Sequence, residues 1–101
     1  MKLIPFCVLA LSLFVPLTAL GAIDCSRARS NAEKMICSNS RIAVADELMA
    51  RAFRDAIHRG SDPRAMMDRQ RQWIKEVRDV CGDVECMLKA YELRIAELDN
   101  F

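Results

Sequence analysis

The chain is poor in the residues that most catalytic and cofactor sites require. Its 101 residues include one histidine and three glycines, and no glycine-rich stretch is present that could cradle a phosphate. No group of histidines, cysteines or carboxylates has the spacing of metal ligands. The single histidine, His58, lies near a predicted helix end without a nucleophile beside it. We therefore expect no catalytic residue, no metal site and no cofactor, and we do not expect an enzyme.

The chain also lacks an excess of charge of either sign. It has 15 basic and 14 acidic residues, so it becomes formally neutral if Lys2 is removed with a leader. Neutrality argues against nucleic acid as a partner, because nucleic-acid binding needs a basic surface. The charge is uneven, however, and residues 79–101 contain six acidic and two basic side chains. This acidic end either attracts a cationic partner at long range or neutralises the basic helices beside it.

Only one long apolar run is present, and it follows Lys2 directly at residues 3–20. Two prolines interrupt it, and its central block is shorter than the ~20 residues that a membrane span needs. Ala19 and Gly21 supply the small residues of a cleavage site. We predict a secretory signal peptide over residues 1–21, with cleavage after Ala22 as the alternative. The rest, 22–101, is then one periplasmic or secreted domain without a stable membrane span.

Four cysteines follow the predicted leader: Cys25, Cys37, Cys81 and Cys86. In an oxidising compartment they should form disulfides, and three connectivities are possible. Pairing of neighbours joins Cys25 to Cys37, and it joins Cys81 to Cys86 if the chain breaks at residues 82–83. The nested alternative joins Cys25 to Cys86 and Cys37 to Cys81. We favour the pairing of neighbours, because a glycine between Cys81 and Cys86 removes the obstacle that one continuous helix would pose.

The predicted domain contains residues that typically begin and end helices, and it shows no strand-like alternation of polar and apolar residues. Ser30 and Glu33 form a capping box that opens a short helix ending near Cys37. Apolar residues at three- and four-residue steps predict a second helix over 41–59, closed by Gly60. Two further signals set the remaining boundaries: Asp62-Pro63 opens a third helix that runs to about Cys81, and Asp83 caps a fourth. The sequence predicts an all-α fold, a small disulfide-stapled antiparallel helical bundle with one short and three longer helices.

Several side chains need an interpretation beyond their helix. Phe53, Trp73 and Tyr91 are expected as core anchors, although a lone tryptophan is also typical of an interface hot spot. Gln70 lies on an apolar stripe and must be hydrogen-bonded inside the bundle or sit at its mouth. The remaining expectations concern four charged and two apolar residues. Asp46 and Glu47 lie on polar surface with nothing to raise a pKa. Leu48 and Val77 lie on predicted inner faces, and Arg78 and Arg94 form weak ion pairs with exposed partners.

The order of these motifs resembles the lysozyme inhibitor LprI N-terminal-like family over nearly the whole predicted domain. The resemblance depends on the segments 23–25, 33–37, 70–73 and 78–81, together with Cys86 and Tyr91. Two positions depart from the family pattern. Phe53 stands where tyrosine is usual, which removes a hydroxyl, and Ala45 stands where leucine is commoner, which trims the core.

The resemblance implies a small exported helical domain of the bacterial envelope, and for some members inhibition of lysozyme. We expect a binding protein that occludes the cleft of a cationic, lysozyme-type muramidase. The alternative is a non-enzymatic envelope adaptor that binds another exported protein through the outer face of the second and third helices. The candidate partner-binding residues are Asp83, Glu85, Glu92, Glu97 and Asp99.

Overall fold

The computed structural model describes residues 23–101, and this part of the chain is helical without strands. The predicted signal peptide, with Cys7, lies outside the described residues. A 3₁₀ turn at Cys25–Arg27 precedes four helices: α1 (Asn31–Ser38), α2 (Ser40–His58), α3 (Pro63–Trp73) and α4 (Val84–Asp99). The predicted all-α class, with one short and three longer helices, is confirmed.

Side-chain caps begin the helices at the positions that the sequence predicts. The Ser30 hydroxyl accepts a hydrogen bond from the Glu33 amide at 3.0 Å, and the Glu33 carboxylate accepts one from the Ser30 amide at 3.1 Å. Asp62 and Asp83 each accept an amide hydrogen bond from the first turn of α3 and α4. Gly60, after α2, has a φ of +108°, a backbone conformation that is strained for any residue with a side chain. Interactions between residues close in sequence therefore determine where these helices begin and end.

Helix α3 ends differently from the prediction, because it continues as a π-helical turn over Ile74–Arg78. The Asp79 amide donates to the Ile74 carbonyl at 2.8 Å, which is the wider spacing of a π-helix. The extra residue in the turn shifts the inward face by one position. Val77, which we expected inside, is 41% exposed, whereas Arg78 is only 2% exposed. Arg78 forms an ion pair, as expected, but it does so from a buried position, with the partly exposed Asp79.

Contacts along the chain show that α2, α3 and α4 run up, down and up. Near the start of α2, Asp46 meets Tyr91, and past its end Arg59 bonds the Leu98 and Phe101 carbonyls. Helices α2 and α4 are therefore parallel. Helix α3 lies antiparallel to both, since Trp73 contacts Tyr91 and the earlier Arg69 lies over the Phe101 ring. Short connections between sequential helices produce this arrangement.

Two disulfides join neighbouring segments of the described chain. Cys25 pairs with Cys37, which ties the 3₁₀ turn to α1, and Cys81 pairs with Cys86, which ties the end of the π-helical turn to α4. This is the predicted pairing of neighbouring cysteines, which the break in the helix at residues 82–83 makes possible.

The core lies mainly between α2 and α4. Phe53, Tyr91 and Trp73 are buried in it, with Trp73 and Tyr91 in an edge-to-face contact at 5.3 Å between ring centroids. Leu48, which we expected inside, is 46% exposed. It lies about 100° around α2 from the fully buried Met49, so it misses the face that meets α4.

Within residues 23–101, none of the helices combines the length and the hydropathy that a membrane span requires.

Candidate functional site

A layer of polar side chains crosses the interior of the bundle where α2, α3 and α4 meet. Its members come from all three helices and from the π-helical turn, and each is at most 6% exposed. Burying polar groups is tolerated only when they bond to one another. The members are Asp46, Gln70, Arg78, Tyr91 and Arg94.

Asp46 and Tyr91 form the centre of this polar layer. The Tyr91 hydroxyl donates to Asp46 Oδ1 at 2.8 Å, with both residues buried. Burial raises the pKa of Asp46 to about 6, although the hydrogen bond from Tyr91 and the charge of Arg78 oppose the shift. Burial, together with the neighbouring carboxylate, also raises the pKa of Tyr91. The expectation that nothing would raise the pKa of Asp46 is therefore wrong, because this residue faces the core.

Arg78 approaches this pair from the π-helical turn. Its Nε and Nη2 atoms both donate to Asp79 Oδ1 at 2.9 Å, and its side chain is 3% exposed. The guanidinium lowers the pKa values of both Asp46 and Tyr91, so its charge acts on them directly. A buried arginine needs an anion such as Asp79 beside it, since an unpaired charge in the interior is strongly destabilising.

Gln70 and Arg94 form the other half of the layer. Gln70 is fully buried, donates to the Met49 sulfur at 2.8 Å and accepts from Arg94 Nε at 3.1 Å. It is thus hydrogen-bonded inside the bundle, which was one of its two expected places. Arg94 Nη1 pairs with Glu97 at 3.2 Å, but Nη2 is buried and has no hydrogen-bond partner among residues 23–101. Arg94 therefore forms the expected ion pair with an exposed partner, but its own side chain is buried.

An open groove of about 640 Å³ lies beside Arg94, between α3 with its π-helical turn and the end of α4. Its walls combine two aromatic rings with charges of both signs. The Arg69 guanidinium lies 5.7 Å from the centroid of the Phe101 ring on one side. The residues that define this groove are Arg69, Trp73, Glu76, Arg94, Glu97 and Phe101.

The five acidic candidates for partner binding lie on α4 but do not form one cluster. Asp83 is used as the cap of α4, and Glu97 pairs with Arg94 at the groove. Glu85, Glu92 and Asp99 are exposed and recur every seven residues, so they form a stripe along the outer face of α4. We call these three residues the acidic stripe. Within it, Glu92 also has Lys89 at 3.5 Å, an exposed pair of small value.

The described part of the chain shows no cluster of three or more histidine, cysteine or carboxylate side chains that could hold a metal ion. His58 is exposed in the last turn of α2. The four cysteines of this region are in disulfides.

These features define a small, disulfide-bridged α-helical domain with a polar interior layer. The sequence model of the family described as lysozyme inhibitor LprI matches residues 25–98, and the chain belongs to this family. The family is one of inhibitors, and the match confirms the resemblance drawn from the motifs. No curated protein and no solved structure matches the chain significantly.

Sequence reasoning did not place three members of the polar layer, Asp46, Arg78 and Arg94, in the interior. A signal was present for Asp46, because it lies four residues after Ile42 and three before Met49, both fully buried in α2. No comparable signal existed for Arg78. Its buried position depends on the π-helical turn, which could not be predicted from the residue types.

Proposed function

We propose that this protein is an exported inhibitor of lysozyme-type muramidases that acts by covering the catalytic cleft. The observation that carries the proposal is the family match over residues 25–98. Two disulfides in so short a domain fit export into an oxidising compartment, the periplasm or the exterior. In this proposal the protein has no catalytic role of its own.

The acidic stripe is the surface that we assign to the muramidase. Glu85, Glu92 and Asp99 project from one rigid helix, so little conformational entropy is lost when they meet a cationic partner. Leu93, 56% exposed, lies next to Glu92 on the same helix and adds apolar area. Complementary charge of this kind raises the association rate and makes it sensitive to salt.

The direct test is the rate of cell-wall lysis, followed by turbidity, with purified residues 22–101 added to animal and bacterial muramidases. We expect slower lysis at micromolar inhibitor, and weaker inhibition as the salt concentration rises. Full lysis rates at micromolar excess against both kinds of muramidase would falsify the proposal.

Variants locate the contact surface. The triple substitution Glu85→Gln, Glu92→Gln and Asp99→Asn should weaken inhibition by about tenfold at low salt, since three charge contacts of a few tenths of a kcal/mol each are lost. The matched control carries the same charge change on exposed acids of α2 and α3. It consists of Glu47→Gln, Asp55→Asn and Asp68→Asn. Equal loss of inhibition in both triples would show that net charge, rather than the acidic stripe, matters.

The alternative role, an adaptor that binds another exported protein, has one structural observation in its favour. Val44 and Leu48 lie one turn apart on the outer face of α2 and are 58% and 46% exposed. The double substitution Val44→Ser and Leu48→Ser shows whether inhibition uses the acidic stripe or this exposed apolar pair. Inhibition of lysis should survive this change if the acidic stripe binds the muramidase, and should fall if α2 provides the contact.

A further inference from the structure

The groove between α3 and the end of α4 contains an arginine whose hydrogen-bonding capacity is incompletely used. Arg94 is 6% exposed, and its Nη2 atom is buried without a partner among the described residues. A charged donor left unpaired in the interior is destabilising, so such groups are rare and need an explanation. Nothing in the acidic stripe or in the core requires this donor.

The geometry of the guanidinium indicates which group would satisfy it. Arg94 Nη1 already meets one oxygen of Glu97 at 3.2 Å, and Nη1 and Nη2 together form a planar fork that matches a carboxylate. The Glu97 side chain is 62% exposed, so it can turn outward into water. Arg94 lines the groove, so a carboxylate that replaces Glu97 would bond Nη1, and would bond Nη2 once the outward turn of Glu97 uncovers it.

The rest of the groove restricts the kind of carboxylate. Glu76 and Glu97 would repel a dianion such as a phosphate ester, yet both can accept hydrogen bonds from N–H groups. Gln72 and Asn100 also line the groove; their amide nitrogens donate to Glu76 and to the Ala96 carbonyl, and their amide oxygens can accept from a peptide N–H. Trp73 and Phe101 provide an apolar surface for a side chain. Arg69, near Phe101, adds a second positive charge.

We propose that this groove binds the free C-terminal carboxylate of a peptide, with Arg94 and Arg69 as its binding residues and Trp73 as the adjoining wall. The site is separate from the acidic stripe, and it does not depend on the inhibition of muramidases. The same chemistry is offered by a free short peptide and by the chain end of a protein.

Trp73 is the single tryptophan of the chain, so its fluorescence reports on this groove directly. The probes are N-acetyl-Ala-Ala and its C-terminal amide, titrated into residues 22–101. We expect a saturable fluorescence change with the acid, and binding of the amide weaker by about tenfold or more, since a hydrogen bond between charged groups is lost. No saturable change, or equal binding of acid and amide, would overturn the proposal.

Substitutions test the assigned residues. Arg69→Gln should weaken binding of the acid by about tenfold, whereas Glu97→Gln should strengthen it, because the competing carboxylate is removed. Arg71→Gln is the matched control, since Arg71 is an exposed arginine of α3 that pairs with Asp68 outside the groove. Arg94→Lys should reduce binding most, because lysine lacks the fork.

Unfolding curves establish whether each variant is folded, and if Arg94→Lys does not fold, the Arg69 and Glu97 variants decide. Equal affinities in Arg69→Gln, Glu97→Gln and the Arg71→Gln control would contradict the assignment. A second titration compares the dipeptide with an acetylated hexapeptide of free carboxyl end. Tighter binding of the hexapeptide favours a protein chain end as the natural ligand, and equal binding favours a short free peptide.

Discussion

At the scale of single residues, the least expected feature is a carboxylate placed in the core. Asp46 is 2% exposed, and its nearest donor is the hydroxyl of Tyr91. One neutral donor does not offset the desolvation of a carboxylate, which is why the pKa of Asp46 rises to about 6 rather than falling. The charge of Arg78 limits the rise, whereas Glu47 adds to it.

The raised pKa predicts that the domain becomes more stable as the pH falls from 7 to 5. Asp46 takes up its proton near pH 6 when folded but only near 3.8 when unfolded, so the folded state binds more protons in this window. The free energy of unfolding should increase by about 1 kcal/mol between pH 7 and pH 5. Urea unfolding at several pH values measures it.

Asp46→Asn provides the comparison, since it cannot titrate. Its free energy of unfolding should lack this increase, so the difference between the two proteins should change by about 1 kcal/mol over the same window. The window lies above the region where Glu33, whose pKa is lowered by the amides of Arg29 and Ser30, would act in the opposite direction. Parallel curves for the two proteins would show that Asp46 stays ionised in the folded state.

At the scale of helices, local chemistry made most boundaries predictable. A cap depends on residues within one turn of each other, so Ser30 with Glu33, and Asp62 with Pro63, could be recognised in the sequence. The π-helical turn could not be recognised in this way. It exchanges the roles of Val77 and Arg78, and it brings the charge of Arg78 close to Asp46 and Tyr91, which are distant from it in sequence.

The first cap should have a measurable effect of its own. Ser30→Ala removes the hydroxyl that holds the Glu33 amide and should lower the free energy of unfolding by about 1 kcal/mol. Ser40→Ala is the control, because Ser40 is an exposed first residue of α2, whose cap is Asn39. Urea unfolding of both variants measures the difference. If both substitutions have the same effect, the capping box does not stabilise α1.

At the scale of the whole molecule, the sequence was sufficient for the class, the helix order and the pairing of neighbouring cysteines. It was insufficient for the polar layer, because Gln70 and Arg94 are 24 residues apart and meet only when α3 and α4 pack. The groove could not be predicted from the sequence for the same reason. Its walls come from two antiparallel segments, and the unpaired nitrogen of Arg94 is a property of the packed bundle.

The two disulfides should supply a large share of the stability of so small a domain. Loop-closure entropy assigns about 3 kcal/mol to the Cys25–Cys37 bridge and about 2 kcal/mol to the shorter Cys81–Cys86 loop. A domain of this size is stable by only about 5–15 kcal/mol. Reduction should therefore leave the chain marginally folded or unfolded.

Two variants of the domain over residues 22–101 separate these contributions. Replacing Cys25 and Cys37 by serine should lower the free energy of unfolding by about 3 kcal/mol and leave the groove near Trp73 unchanged, because both cysteines are exposed and remote in sequence from it. Replacing Cys81 and Cys86 by alanine should cost about 2 kcal/mol and alter Trp73 fluorescence, because Cys81 is buried beside the π-helical turn. Circular dichroism during urea unfolding, with and without dithiothreitol, measures both effects. Full retention of stability under reduction would remove the physical reason for requiring an oxidising compartment, and with it the main structural support for export.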